Sequence, residues 1–460
     1  MKKLLTIASS VVIGVLAATA LAAGSAKTTL VDFSTRGKQA NLYTYAVAIS
    51  AHGRYVVMNS DATNLVPNDT NKRMDVFVRD RLTGRTTRVS VSSSGAQAKA
   101  TAHPFGGSHA PDTGAISPDG RYVLFVSDAP NLVAHDTNRA DDIFVRDRIT
   151  RRTTRVSVSS RGRQANGVSG NPALSADGRY VAFSSSASNL VRGDTNRQPD
   201  VFVHDRQTGK TVRVSVSSAG RQANFASEEP ALSADGRYVA FATAASNLAP
   251  HDTNGLENIF VRDRRTGKTT RVSVTSGDGQ ATGSPTHTGS NGPSISGDGR
   301  YVAFHSDASN LVPGDTNGVF DIFVRDRLVG ETSRVSVSNT GAQANADTFG
   351  GGSISADGRY VVFGSRASNL VADDTNDTMD AFIHDRVAHT TILASRSSSG
   401  RVGNDASGPG GLSADNRYLA FSSWASNLVA HDHSPGPDAF VRDFGGAVVL
   451  SSPSSAPGPR

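Results

Sequence analysis

Carboxylate and amide side chains recur along this sequence at a spacing that could hold calcium. In VPGDTNGVFDIFVRDR, residues 312–327, Asp315, Asn317 and Asp321 stand on a glycine-bearing loop that runs into an apolar segment. Calcium takes six to eight oxygen ligands, and a loop with acidic residues at positions one, three and five and glycine at six serves it well. Here position one is Asp and position three is Asn. Position five is Val319, and its counterparts Arg73, Ala140, Gln198, Leu256 and Thr378 are not acidic either. That ligand set is thin unless backbone carbonyls complete it. In the competing reading the same side chains form Asx-type turns, capping backbone N–H groups and steadying the strand that follows. The turn takes precedence, because a triplet found at Asp69, Asp136, Asp194, Asp252, Asp315 and Asp374 serves the repeated unit that carries it. Calcium at Asp315, Asn317 and Asp321 stands as the alternative, and no other cofactor is expected.

Further candidates lie where the repetition is broken. His103 and His109 share the enlarged loop AHPFGGSHAPDTG, and His287 lies in a second one, ATGSPTHTGSNG. Histidines on glycine-rich loops can ligate metal, although surface histidines without patterned carboxylates are more often solvated. Glu228 and Glu229 interrupt the fourth unit and are a candidate ligand contact, with a solvated pair as the plain alternative. The Asp of each VRDR phrase, for example Asp80 and Asp205, should cap a turn, with neighbouring arginines in exposed ion pairs of little energetic weight. No G-x-S-x-G elbow, H-E-x-x-H helix or phosphate-binding loop occurs. The chemistry on offer is that of binding.

Repetition says what must position these residues. The phrase ISADGRYVVF at 354–363 recurs seven times, its serine falling at Ser50, Ser117, Ser175, Ser233, Ser296, Ser355 and Ser413. Each copy continues through SNLV, DTN, a DIFVRDR-like run, TTRVSVSS and G-x-Q-A-N. In the third copy PALS, RYVAFSSS, DVFVHDR and TVRVSVSS read as four strands, with tight turns at Asp177–Gly178 and at QTGK. The second and third are nearly continuous in apolar residues, the pattern of strands covered on both faces. A four-stranded antiparallel unit with two apolar faces must stack on neighbours, and stacking around an axis leaves only short edges. The fold class expected is all-β: a seven-bladed β-propeller.

The segment TTLVDFSTRGKQAN matches the fourth-strand phrase yet precedes the first blade. A strand at about residues 28–35 should therefore close the ring at the outer edge of the last blade, with 447–452 as its competitor. Residues 27–452 form the propeller in this reading, and 453–460 a disordered tail. Residues 1–26 have the layout of a signal peptide: Lys2 and Lys3, an apolar run, then small residues. No later segment is long and apolar enough to span a bilayer. Cysteine is absent, which rules out disulfides and thiolate chemistry and suits an oxidising compartment. The net charge of +6 is spread along the chain rather than clustered, so nucleic acid is not the expected partner.

ISPDGRYVLFVS at 116–127 with DDIFVRDRITRRTTRVSV at 141–158 resembles the repeat of TolB-type propellers, a family related to WD-repeat propellers. The resemblance implies an exported, periplasmic or extracellular protein whose propeller binds something. TolB itself carries an α/β domain before its propeller. The short stretch between leader and first blade leaves no room for one here, so TolB's partner contacts are not carried over. In an up-and-down blade the long SNLV–DTN and G-x-Q-A-N connections emerge on one face, and loops on a rigid scaffold carry function. The expectation is a non-catalytic binding or scaffold module that meets a protein, glycan or other polar partner through that face. The alternatives are a propeller enzyme acting on a polysaccharide, as lyase or hydrolase, at the channel mouth, and a calcium-binding structural envelope protein.

Overall fold

The computed structural model describes residues 26–99, 102–103, 116–282, 289–432, 434 and 436–446. Its strands form seven four-stranded sheets, and among the described residues there is no helix. In the third blade the strands run Ser169–Leu174, Tyr180–Ser185, Asp200–Asp205 and Lys210–Arg213, all antiparallel and in sequence order. Gly178 makes the first hairpin possible, at φ +71°, while the Asp177 carboxylate accepts from the Ser175 hydroxyl at 2.6 Å and from the Arg179 amide at 2.9 Å.

The fourth strand is shorter than the sequence suggests, and the cause is a serine. Ser215 Oγ accepts from the Val201 amide at 3.1 Å and donates to Asp200 at 2.6 Å, where a ladder bond would otherwise continue. The chain then leaves the sheet, and a lone bridge from Val216 to Gln222 ties down the loop.

Apolar faces are buried between blades rather than within them. The Phe183 and Phe202 rings meet across the second and third strands, tilted, at 5.8 Å. They pack with Leu124, Val126, Ile143 and Val145 of the preceding blade. The equivalent cluster across the closure joins Ala420, Ala439 and Val441 of the last blade to Val56, Met58 and Phe77 of the first. Each fully covered Phe contributes on the order of 1.5–3 kcal/mol, all of it conditional on the neighbouring blade.

Closure follows the expected course. Lys27–Leu30 pairs antiparallel with Asp438–Asp443, from Lys27 against Asp443 to Leu30 against Phe440. Only the start of the 28–35 segment is strand, for the reason that shortens every fourth strand, and the competing residues 447–452 lie outside the described residues. The closing strand also repeats the outer-rim contact of the other blades. Thr28 N donates to Ser398 Oγ at 3.0 Å, as Thr211 N does to Ser160 Oγ at 2.9 Å.

On the short-turn face, blades are joined by arginine and tyrosine. The Tyr122 ring lies between Arg121 of its own blade and Arg206 of the next, at 4.7 and 4.4 Å. The ion pairs expected to be loose are instead bidentate forks. Arg54 grips Asp80 through Nε at 3.0 Å and Nη2 at 2.9 Å, and Asp80 also caps the Leu82 amide. This fork holds the Asp80 carboxyl down at about 2.

Gly178 sits on the Tyr122 ring, which a Cβ would overlap, whereas Gly193 has the same left-handed φ with open space around it. Gly193→Ala should cost about 1–2 kcal/mol from the backbone alone. Gly178→Ala should cost about 1–3 kcal/mol more from overpacking at the blade joint. Denaturant titration of the two variants checks the difference, and equal losses would deny the tyrosine joint its role.

Candidate functional site

The long-loop face is built on a charge clamp. Asp315 and Asp321 hold Arg334 of the fourth strand between them, at 3.0 and 3.2 Å from its Nη1. Asn317 donates to Asp321 at 2.8 Å and its own carbonyl oxygen accepts from the Val319 amide. Ser336 supplies a further hydrogen bond to Asp321, whose side chain is fully buried. The residues read as calcium candidates are thus drawn together, around a guanidinium. The same clamp forms at Arg88, Arg155 and Arg213; at Arg271 the second Asp is Asn258, which donates to Asp252 while Arg271 meets Asp252 and Gln280.

The G-x-Q-A-N loops staple one blade to the next. Gln164 donates to Asp136 at 2.8 Å and Asp142 at 3.1 Å within its own blade. Two residues on, Asn166 donates to Ser188 and accepts from its amide in the following blade. These repeated amides and carboxylates are engaged with one another. Chemistry free to meet a partner must come from positions that depart from the repeat.

Such positions gather at the channel mouth between the fourth and fifth blades. The chain has four glutamates, and three of them, Glu228, Glu229 and Glu257, act on one another there. Glu228 and Glu229 lie on the innermost strand Ser227–Leu232, at its long-loop end, where the register to the second strand shifts. Glu229 adopts φ +52° in that bulge, and its carboxylate accepts from the Gly292 amide of the next blade at 2.8 Å. Glu257 ends the DTN loop, its carbonyl accepts from the Ser290 amide at 2.8 Å, and its carboxyl is close enough to Glu228 and Glu229 to feel both charges. Burial, then Glu229 and Glu228, push the Glu257 carboxyl up to about 8. Burial and Glu229 also raise Glu228.

Beside them Asn291 meets His305, whose ring stacks on Phe320 at 4.4 Å with Nε2 at 2.9 Å from the Thr348 carbonyl. Across the closure the chain's single tryptophan, Trp424, is 45% exposed and meets the edge of Tyr43 at 5.5 Å. Both follow or precede strands at the long-loop end. Among the sequence candidates, His109 and His287 lie outside the described residues. His103 pairs with Val126 through the short strand Ala102–His103, at the inner edge of the second blade. Glu257, Asn291 and His305 were not singled out by sequence reading. The scarcity of glutamate was the signal available.

No protein-family model and no curated protein matches the sequence. Among solved structures the chain is similar to a putative TolB from Agrobacterium tumefaciens, at 16% identity over 78% of this chain and 94% of that one, with a TM-score of 0.39. It is also similar to the oligogalacturonate lyase of Vibrio parahaemolyticus, at 12% identity over 88% and 90% of the two chains, TM-score 0.48. A third is the β-propeller domain of the Trilobed protease from Pyrococcus furiosus, at 12% identity over 90% and 95%, TM-score 0.49. Its structural neighbours thus include TolB proteins and other propeller domains. At such identities the likeness concerns the fold alone.

The clamp yields a direct test of the DTN loops. Arg334→Met leaves buried Asp321 without its guanidinium and should cost about 3–5 kcal/mol. Adding EDTA to the wild-type protein should leave the melting midpoint where it was. A midpoint that falls with EDTA and returns with calcium would restore the metal reading.

Proposed function

We propose that this protein is an exported, non-catalytic binding module whose channel mouth receives a partner through positively charged groups. The observation that carries the reading is the Glu228–Glu229–Glu257 cluster, an uncompensated acidic spot on a chain of net charge +6. In five blades the first Asp of the DTN loop lies against an arginine. Here desolvated carboxylates crowd one another, and a cationic group entering the mouth would relieve that repulsion. The exposed Trp424–Tyr43 pair adds an amphipathic surface of the kind polar partners stack on. A basic protein segment or an amino-sugar polymer of the cell envelope or exterior suits both features. The signal-peptide layout of residues 1–26 supports export.

A catalytic reading draws on one observation. Glu257, raised to about 8, keeps its proton at neutral pH beside two further carboxyl groups, and a pair of carboxyls is what a glycoside-cleaving acid and base would need. Against it, both ring nitrogens of the nearby His305 are engaged, by Asn291 and by the Thr348 carbonyl.

Binding of oligolysine and of a chitosan oligomer, measured by calorimetry against a neutral and an anionic glycan, tests the proposal. Cationic ligands should bind preferentially, and more tightly as pH rises towards 8, because ionised Glu257 attracts them and neutral Glu257 does not. Glu228→Gln, Glu229→Gln and Glu257→Gln combined should weaken binding about tenfold or more, since each ten-fold step is about 1.4 kcal/mol. Glu257→Gln alone should flatten the pH dependence. Equal binding by wild type and triple variant, or preference for the anionic glycan, would refute it. Turnover of any of these glycans, lost in Glu257→Gln, would favour the enzyme.

A further inference from the structure

The closing blade breaks the charge balance that the other clamps keep. In five blades the DTN loop and third strand meet an arginine from the fourth strand, and a serine two residues later completes the set, as Arg213 and Ser215 do for Asp194 and Asp200; in the sixth Leu393 takes the arginine position while Ser395 keeps the serine's. In the last blade the pair is Asp432 and Asp438, and the fourth strand is the N-terminal one. Its register puts Leu30 where Arg213 stands and Asp32 where Ser215 stands. A cation is replaced by leucine and a hydroxyl donor by a third carboxylate.

All three acids meet inside the seam. Asp438 is in contact with both Asp32 and Asp432. Asp32 is fully buried, and neither of its oxygens receives a hydrogen bond from a side-chain amide, hydroxyl or guanidinium. Gln39 supplies one amide, at 2.9 Å to Asp432 and 3.4 Å to Asp438. The cation facing Asp32 is Arg79 of the first blade, and its Nη1 is already engaged by the Phe33 and Ser34 carbonyls at 3.0 and 3.2 Å. Among the described residues no three carboxylates or imidazoles are arranged to hold a metal ion. Arg79 is one cation against three carboxylates, and two carboxylates that touch in a desolvated site are relieved when one of them is protonated.

We infer that the ring closes on a proton shared by Asp32 and Asp438, so that closure of the N-terminal strand is strengthened by acid and loosened by base. The proton comes from solvent and leaves to it. Burial raises both carboxyls, and the proton belongs to the pair rather than to either one. The sign follows from linkage. A carboxyl whose folded value exceeds its unfolded one binds its proton more tightly in the closed ring. Its contribution is complete below the unfolded value near 4 and is lost as pH climbs through the folded one. The seam is thus a pH-responsive latch at the one place where chain topology lets the ring open without breaking a covalent bond.

Hydrogen exchange of the Lys27–Leu30 amides, corrected for intrinsic rates, reads the latch, with the covalently continuous strand Lys210–Arg213 as internal reference. Between pH 5 and pH 8 the protection of the closing strand relative to the reference should fall about tenfold or more, at up to tenfold per pH unit for one linked proton. Asp32→Ser, which restores the repeat's hydroxyl, and Leu30→Arg, which restores its cation, should each flatten that ratio. An unchanged ratio in the wild type, or an equal fall in both variants, overturns the inference. A ratio that responds to EDTA or to millimolar calcium at constant pH overturns it in favour of a metal at the same carboxylates.

Discussion

Burial of each blade's two apolar faces against its neighbours is the constraint on which the rest of the molecule depends. Phe183 and Phe202 are covered only because the second blade lies against them, and Val56 and Phe77 only because the last blade does. Polar contacts do not replace that burial; they set its register. The Arg206 guanidinium over Tyr122, the Thr211 amide on Ser160 and the Asn166 amide on Ser188 each cross one blade boundary at a different radius or face. Individually such contacts contribute little, about 0.5–1.5 kcal/mol. Repeated around the ring they fix how far each blade turns from the last.

The repeat also explains why most of its conspicuous chemistry is structural. A guanidinium between two buried carboxylates satisfies all three only where the geometry is kept, and the DTN triplet keeps it by turning the loop back onto Arg334, Arg213 and their equivalents. Function therefore shows at departures. Glu228, Glu229 and Glu257 are carboxylates without a clamp. Asp32 is a carboxylate at a serine position, on the only strand that reaches its blade from the far end of the chain.

Much of the fold was legible because a period near 58 residues forces one answer for every copy: the same turn at Asp177–Gly178, the same pair of covered strands, the same connections on one face. The placement of the N-terminal strand was legible too, since TTLVDF reads as a fourth strand with no blade of its own. The length of the fourth strand was not, because the Ser215 hydroxyl substitutes for a ladder bond and a serine among valines gives no local sign of it. Nor was the Asp–Arg–Asp clamp, whose members sit 13 and 19 residues apart and meet only once the third and fourth strands are paired. Glu257 was hidden for a similar reason. Its approach to Glu228 and Glu229 depends on the bulge in one strand and on the loop that leads into another. The Glu pair alone was visible.

The account rests most heavily on the blades being one cooperative ring rather than a row of separable units. Native-state hydrogen exchange under rising denaturant at mildly acidic pH measures this directly, comparing second-strand amides such as Phe125, Phe183, Phe241, Phe304, Phe363 and Phe421 with those of Lys27–Leu30. The account predicts that all converge on a single opening of the same free energy, the N-terminal strand included. Blades that open one after another, each with its own free energy, would contradict it.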